Sequence, residues 1–214
     1  MVHGPSEGTP RLETQRAVAQ GLEREMMLDE IKVARRGVRS LLMAMGQDPS
    51  REGLVDTPNR VVNAMLEMTE GYGMDPKDIL QRQFESDGYQ DLVIVRGIRF
   101  ASLCEHHLLP FVGTVSVAYL PEARVVGLSK IPRLVECFAR RLQLQERMTH
   151  QIANAMNDHL RPRGVGVHVT ATHQCMACRG VRQPDADMVT TTVLGELRTN
   201  ASLKAEFIAA THNG

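Results

Sequence analysis

Val165-Gly166-Val167-His168-Val169-Thr170-Ala171 alternates large apolar residues with small or polar ones. Successive side chains of a strand point to opposite faces, so Val165, Val167, Val169 and Ala171 share one face that must be covered. Arg161-Pro162-Arg163-Gly164 breaks the chain just before it. Upstream lie two segments of helical period. Ile131, Leu134, Val135, Phe138, Ala139 and Leu142 form one stripe, and Met148, Ile152, Ala155, Met156 and Leu160 form the next. Before them Thr114–Leu120 alternates, with Val115, Val117 and Tyr119 on one face and Pro121 closing it; residues 91–100 are dense in Val and Ile. Downstream, residues 187–194 predict a further strand and residues 202–210 a short closing helix. The order strand–strand–helix–helix–strand–strand predicts an α+β fold, with a mainly antiparallel sheet and helices on one face.

Ahead of this main domain, residues 76–214, the pattern is helical over 23–75. Met27, Ile31, Ala34, Val38, Leu41, Leu42 and Met45 recur at spacings of three and four, and Gly46 ends the run. Thr57-Pro58 reads as a second helix start, with Thr57 as N-cap and a run to about Glu70. Residues 1–22 show no periodicity and read as a mobile tail.

The composition narrows the function. In 214 residues the formal net charge is zero, so no broad basic field serves duplex nucleic acid, and a phosphate ligand needs a local cationic pocket. Trp is absent and aromatics are scarce, which argues against a stacking platform for single strands. No apolar run approaches the ~20 residues of a membrane span, and no signal-peptide core is visible, which points to the cytoplasm. The four cysteines are then better read as ligands or buried thiols than as a disulfide framework.

Two clusters carry metal-binding chemistry: Cys104-Glu105-His106-His107 and His173-Gln174-Cys175-Met176-Ala177-Cys178. Cys104/His107 and Cys175/Cys178 each have the two-residue gap typical of a zinc chelate in a turn. All four would close a structural site; three would leave a position for water. The spare imidazoles of His106 and His173 favour the open arrangement, because an imidazole beside activated water moves protons at neutral pH. In an extended segment His173 and Cys175 share a face and enter one pocket. Spacing does not decide between His106 and His107. Core thiols without metal, or a redox pair of Cys175 and Cys178, are the competing readings; the redox pair lacks its βαβ setting.

Gly127-Leu128-Ser129-Lys130-Ile131-Pro132-Arg133 opens the first stripe helix, with Ser129 suited to the N-cap. Helix starts favour phosphate, and Lys130 and Arg133 share a face. A solvated basic helix start would look the same. No P-loop or dinucleotide fingerprint is present. Glu146, in Gln145-Glu146-Arg147, could accept both donors of a guanine edge or merely compensate a helix dipole. Arg179-Gly180 offers an anion clamp beside the second cluster, or a surface arginine in a turn.

Ser102-Leu103-Cys104-Glu105-His106-His107-Leu108-Leu109-Pro110-Phe111, Val126-Gly127-Leu128-Ser129-Lys130, Arg141-Leu142-Gln143-Leu144-Gln145-Glu146-Arg147 and His173-Gln174-Cys175 with Arg179-Gly180-Val181 together resemble the GTP cyclohydrolase I family. Glu52-Gly53 and Thr57-Pro58 with Arg60 fit as well, and the likeness spans about residues 25–210. The resemblance implies the tunnelling fold (T-fold), assembled as a homodecamer of stacked rings with active sites at subunit interfaces. It implies zinc-dependent hydrolysis of GTP to formate and 7,8-dihydroneopterin triphosphate, the first step of folate and other pterin synthesis. Carried over by position, Cys104, His107 and Cys175 are zinc ligands, and His106 and His173 transfer protons. Ser129 assists the ribose rearrangement, and Gln145 and Glu146 read the guanine edge. Lys130, Arg133 and Arg179 hold the triphosphate, with Arg60 reaching in from a neighbouring subunit. Cys178 departs from the family pattern, as does Asn63, where some relatives carry a phosphate-binding lysine. A zinc-stapled binding module, a catalytically silent relative and a T-fold enzyme for another purine or pterin are the alternatives.

Overall fold

A computed structural model describes residues 10–212, with side chains over 25–211. The chain divides into two compact units, Met1–Leu66 and Glu67–Gly214.

The first unit holds helix α1 (Pro10–Ala44) and most of α2 (Thr57–Glu67). Of the expected tail, residues 1–9 lie outside the described residues, whereas the backbone over 10–22 is already helical. Glu13, Gln15, Arg16, Ala17, Ala19 and Gln20 are good helix formers, and propensity extends a helix without any apolar stripe. Gly46 follows α1 in the left-handed conformation, φ 74°. Helix α2 stops at Glu67 rather than Glu70, and Glu70–Gly73 forms a separate 3-10 turn.

The second unit continues with α3 (Pro76–Leu80), β1 (Gln83–Glu85), β2 (Val93–Cys104), β3 (Pro110–Leu120), β4 (Arg124–Val126) and α4 (Lys130–Ala139). Then come β5 (Leu142–Gln143), α5 (Gln145–Leu160), β6 (Gly164–His173), α6 (Gln174–Ala177), β7 (Asp187–Gly195), α7 (Glu196–Thr199) and α8 (Ala201–His212). Five strands form one sheet in the order β5-β2-β3-β6-β7. Its long pairings, β2 with β3, β3 with β6 and β6 with β7, are antiparallel, and only the two-residue β5 runs parallel, to the end of β2. The architecture is the expected α+β with a mainly antiparallel sheet.

Val115, Val117 and Tyr119 from β3 and Val165, Val167, Val169 and Ala171 from β6 face one core, closed by Leu134, Phe138, Met148, Ile152 and Met156 from α4 and α5. The opposite face has a smaller cover, in which Ala118 and Leu120 meet Leu197 and Phe207. A Cβ at Gly166 would run into the Phe207 ring, so the small residues alternating with the valines are what lets α8 close on this side. Leu142, expected to end the α4 stripe, belongs to β5 instead. The helix stops at Ala139, and Leu142 and Gln143 pair with Leu103 and Cys104. Among the described residues no helix is long and apolar enough to cross a membrane.

Candidate metal centre and its surroundings

Strand β2 ends at Cys104 and β3 starts at Pro110, and the intervening turn is strongly tied. Cys104 N–H donates to Leu109 O (2.9 Å), and Leu108 N–H donates to Cys104 O (2.9 Å). Leu108 adopts a left-handed φ of 52°, a conformation that costs energy for a leucine and survives only where surrounding bonds impose it. Glu105 N–H donates to Gln143 O (3.1 Å), and the Glu105 carboxylate pairs with Arg147. Arg147 in turn donates to Gln143 Oε1 (3.1 Å) and Leu142 O (2.9 Å). The Arg147 guanidinium holds the Glu105 carboxyl below the ordinary glutamate range. One arginine thus joins α5, β5 and the turn.

The turn brings Cys104 Sγ to 3.8 Å from His107 Nδ1. Cys175 completes a group whose ligand atoms all lie within 4.8 Å of one another. Tetrahedral zinc bonds of about 2.1–2.3 Å place ligand atoms roughly 3.5–3.8 Å apart. Two sulfurs and an imidazole at this spacing therefore suit a thiophilic cation such as zinc. Burial and the adjacent Cys104 sulfur push the Cys175 thiol up. Two thiolates so close repel each other, and a cation between them would relieve that repulsion. Cys178 is outside the group: its thiol is exposed and donates to Gln174 O at 2.9 Å.

Cys175 does not reach the group along an extended segment, as the two-residue spacing from His173 suggested. Strand β6 stops at His173, and α6 forms a single helical turn with Cys178 N–H donating to Gln174 O (3.1 Å). The turn carries Cys175 to Cys104 while His173 takes up separate partners. The His173 ring stacks on fully buried Phe111, and its Nε2 lies 2.8 Å from Gln145 Oε1. Burial lowers the His173 pKa from the ordinary 6.5, and the Glu146 carboxylate partly offsets this.

Gln145 was expected to read a guanine edge beside Glu146. Its side chain is turned inward instead, 1% exposed, with Nε2 donating to Met188 O (2.9 Å), Val169 O (3.2 Å) and Thr190 Oγ1 (3.2 Å). Glu146, the next residue of α5, is exposed. His106 and His107 are both exposed, with rings edge to face at 6.2 Å. Arg179 Nη1 approaches His107 Nε2 at 3.4 Å, which places this exposed cation beside the group.

Ser129, Lys130 and Arg133 lie at the start of α4 and make no hydrogen bond or ion pair with the Cys104–His107–Cys175 group. Ser129 occupies the N-cap position without capping. Its backbone is already helical (φ −66°, ψ −13°), and a turn from Lys130 N–H to Gly127 O (2.8 Å) precedes the helix. A side-chain cap needs an extended residue there, so the hydroxyl is left exposed. Arg60, in the first unit, is exposed and lies 3.6 Å from Asp56.

Glu105, Phe111, Arg147, Thr149 and Thr190 support the site and were not singled out as functional from sequence. Glu105 and Arg147 carried a signal, each adjoining candidate residues, and Phe111 falls in a motif of the resemblance, whereas Thr149 and Thr190 act through Gln145 and carried none.

A family model described as GTP cyclohydrolase I matches residues 34–212. The chain is similar to GTP cyclohydrolase 1 of Allorhizobium ampelinum, with 50% identity over 181 residues, covering 84% of this chain and 90% of that protein. It is similar to GTP cyclohydrolase 1 of Streptococcus suis, with 50% identity over 177 residues, covering 82% and 94%. GTP cyclohydrolase 1 of Chlorobaculum tepidum is 48% identical over 171 residues, covering 80% and 76%.

Proposed function

The chain belongs to the GTP cyclohydrolase I family of enzymes, and from that premise we propose that it hydrolyses GTP to formate and 7,8-dihydroneopterin triphosphate, using zinc held by Cys104, His107 and Cys175. The observation that carries this reading is the three-donor group itself, two sulfurs and one imidazole within 4.8 Å, with Cys178 outside it. A three-ligand group is the arrangement of a catalytic site, whereas a zinc staple closes its fourth position with protein. When bound, zinc supplies Lewis acidity that activates water for attack on carbon 8 of the guanine.

The remaining chemistry belongs to the side chains. His173, held by Phe111 and Gln145, moves a proton at the purine, and exposed His106 serves as the second proton carrier. The Glu146 carboxylate accepts the ring N–H and exocyclic amine of guanine. Arg179 donates to the triphosphate from beside His107, together with Lys130, Arg133 and Arg60. Ser129, its hydroxyl uncommitted to capping, assists the ribose rearrangement. We read Arg60 as reaching in from a neighbouring copy, in a homodecamer with active sites at subunit interfaces. We place the catalytic part in residues 76–214, and the enzyme in the cytoplasm at the first step of tetrahydrofolate and pterin synthesis.

The test is formate release from GTP by zinc-replete protein, with and without a chelator. One formate per GTP, abolished by chelation and restored by zinc, is expected. No formate from a sample carrying one zinc per subunit overturns the assignment.

A further inference from the structure

We propose that Gln145 is a positioning residue that fixes the tautomer of His173, so that Nε2 carries the hydrogen and Nδ1 presents the reactive lone pair. This rests on the proposed proton-transfer role of His173 and departs from a guanine-reading role for Gln145.

Each hydrogen in the network has one direction open to it. Thr149 Oγ1 donates to Gln145 O at 2.7 Å, one turn back along α5. With that proton committed, the 2.7 Å contact between Thr149 Oγ1 and Thr190 Oγ1 requires Thr190 to donate. Thr190 Oγ1 is then an acceptor towards Gln145 Nε2 at 3.2 Å. The other two neighbours of Nε2, Met188 O and Val169 O, are carbonyl oxygens and can only accept. Three acceptors therefore hold the amide nitrogen, and turning the amide over would set its oxygen against two carbonyls in a site 1% exposed. The orientation of Gln145 is thus dictated by β6 and β7, and Oε1 must face His173.

An amide oxygen accepts and cannot donate, so at 2.8 Å His173 Nε2 must supply the hydrogen. Neutral imidazole has one N–H, which leaves Nδ1 as the lone pair. Phe111, parallel to the ring at 4.6 Å, fixes its plane, and a ring turned over would set Cε1 in place of Nε2 against Gln145 Oε1. Gln145 has no donor left for a purine, because all three of its amide contacts are with protein. The arrangement parallels the general device in which a second residue selects the working tautomer of a catalytic histidine.

Two measurements test this. Solid-state nitrogen NMR of the zinc-loaded, histidine-labelled full chain, with His173→Gln to identify the His173 signals, should show Nε2 protonated and Nδ1 bare in the neutral ring. Steady-state kinetics of Gln145→Met should show kcat for formate release reduced about 10- to 100-fold, with KM for GTP changed by less than about 3-fold. A neutral His173 protonated at Nδ1 in the wild type overturns the proposal, even if the variant fails to fold. A Gln145→Met enzyme with undiminished kcat also overturns it, and an accompanying rise in KM would mark Gln145 as a guanine contact. Wild-type protein that shows the Nε2–H form yet releases no formate would sink the activity and leave the assigned tautomer standing.

Discussion

The rings of Phe111 and His173 lie parallel, with 2° between their planes and 4.6 Å between centroids. Phe111 is directly paired with His173 across β3 and β6, so the stack follows from sheet register. Gly113, two residues along β3, faces Ala171, and any Cβ there would strike the Thr170 carbonyl. The close approach of the two strands beside the stack therefore depends on a residue without a side chain. Phe111→Leu keeps most of the buried volume and removes the flat platform. It should cost about 1–2 kcal/mol of stability, measured by denaturant unfolding of the metal-loaded protein, and lower kcat while zinc content stays at one per subunit.

The metal stoichiometry of four variants separates the candidate ligands. Cys175→Ser and His107→Ala should lose zinc on gel filtration against a chelator. Cys178→Ser and His106→Ala should retain one zinc per subunit, and His106→Ala should lose turnover. Elemental analysis decides. A metal-free Cys178→Ser would restore the four-ligand site, and a metal-free His106→Ala would mean that the two histidines exchange roles.

Arg147 reaches the Cys104–His107 turn through Glu105, and β5 through Leu142 O. Arg147→Met keeps the stem and removes the charge and its hydrogen bonds. Zinc affinity should fall about 10- to 100-fold, as when outer-shell partners of metal ligands are removed. Competition titration against a chromogenic chelator measures it. Unchanged affinity would show that the turn holds its shape through backbone bonds alone.

Acid should act through a pair remote from the metal. Glu196 receives two bonds from Arg163, at 2.9 and 2.7 Å, and this guanidinium holds its carboxyl below the ordinary 4.5. A group whose pKa is depressed by folding stabilises the folded state above its unfolded value and loses that contribution as pH falls through the folded one. The melting temperature of the wild type should therefore exceed that of Glu196→Gln at pH 6–7, and the difference should shrink as pH drops below 4.5. A difference that stays constant down to pH 3 would remove the pair from the account of acid stability.

Part of the candidate site was legible because motif residues are adjacent in the chain, as with Cys104 to His107 and His173 to Cys175. The strand faces and helical stripes were legible because periods of 2 and 3.6 are local properties of the backbone. Spacing misled at Cys175, where one helical turn replaces the extended path. It also misled at Ser129, where the preceding turn had already made the backbone helical. Neither event is encoded in periodicity. The start of α1 at Pro10 was missed for a different reason, since helix formers without an apolar stripe leave no period to read.

By itself the sequence determined the α+β order, the faces that the valines of β3 and β6 bury, and the residue types able to hold zinc. Tertiary structure alone decided that a helical turn carries Cys175 to Cys104, that Gln145 looks inward to His173, and that Arg147 braces the turn. The reason is one of range. Periodicity and residue chemistry act along the chain, whereas ligation, ring stacking and the direction of a shared hydrogen depend on ångström distances between strands and helices far apart in sequence.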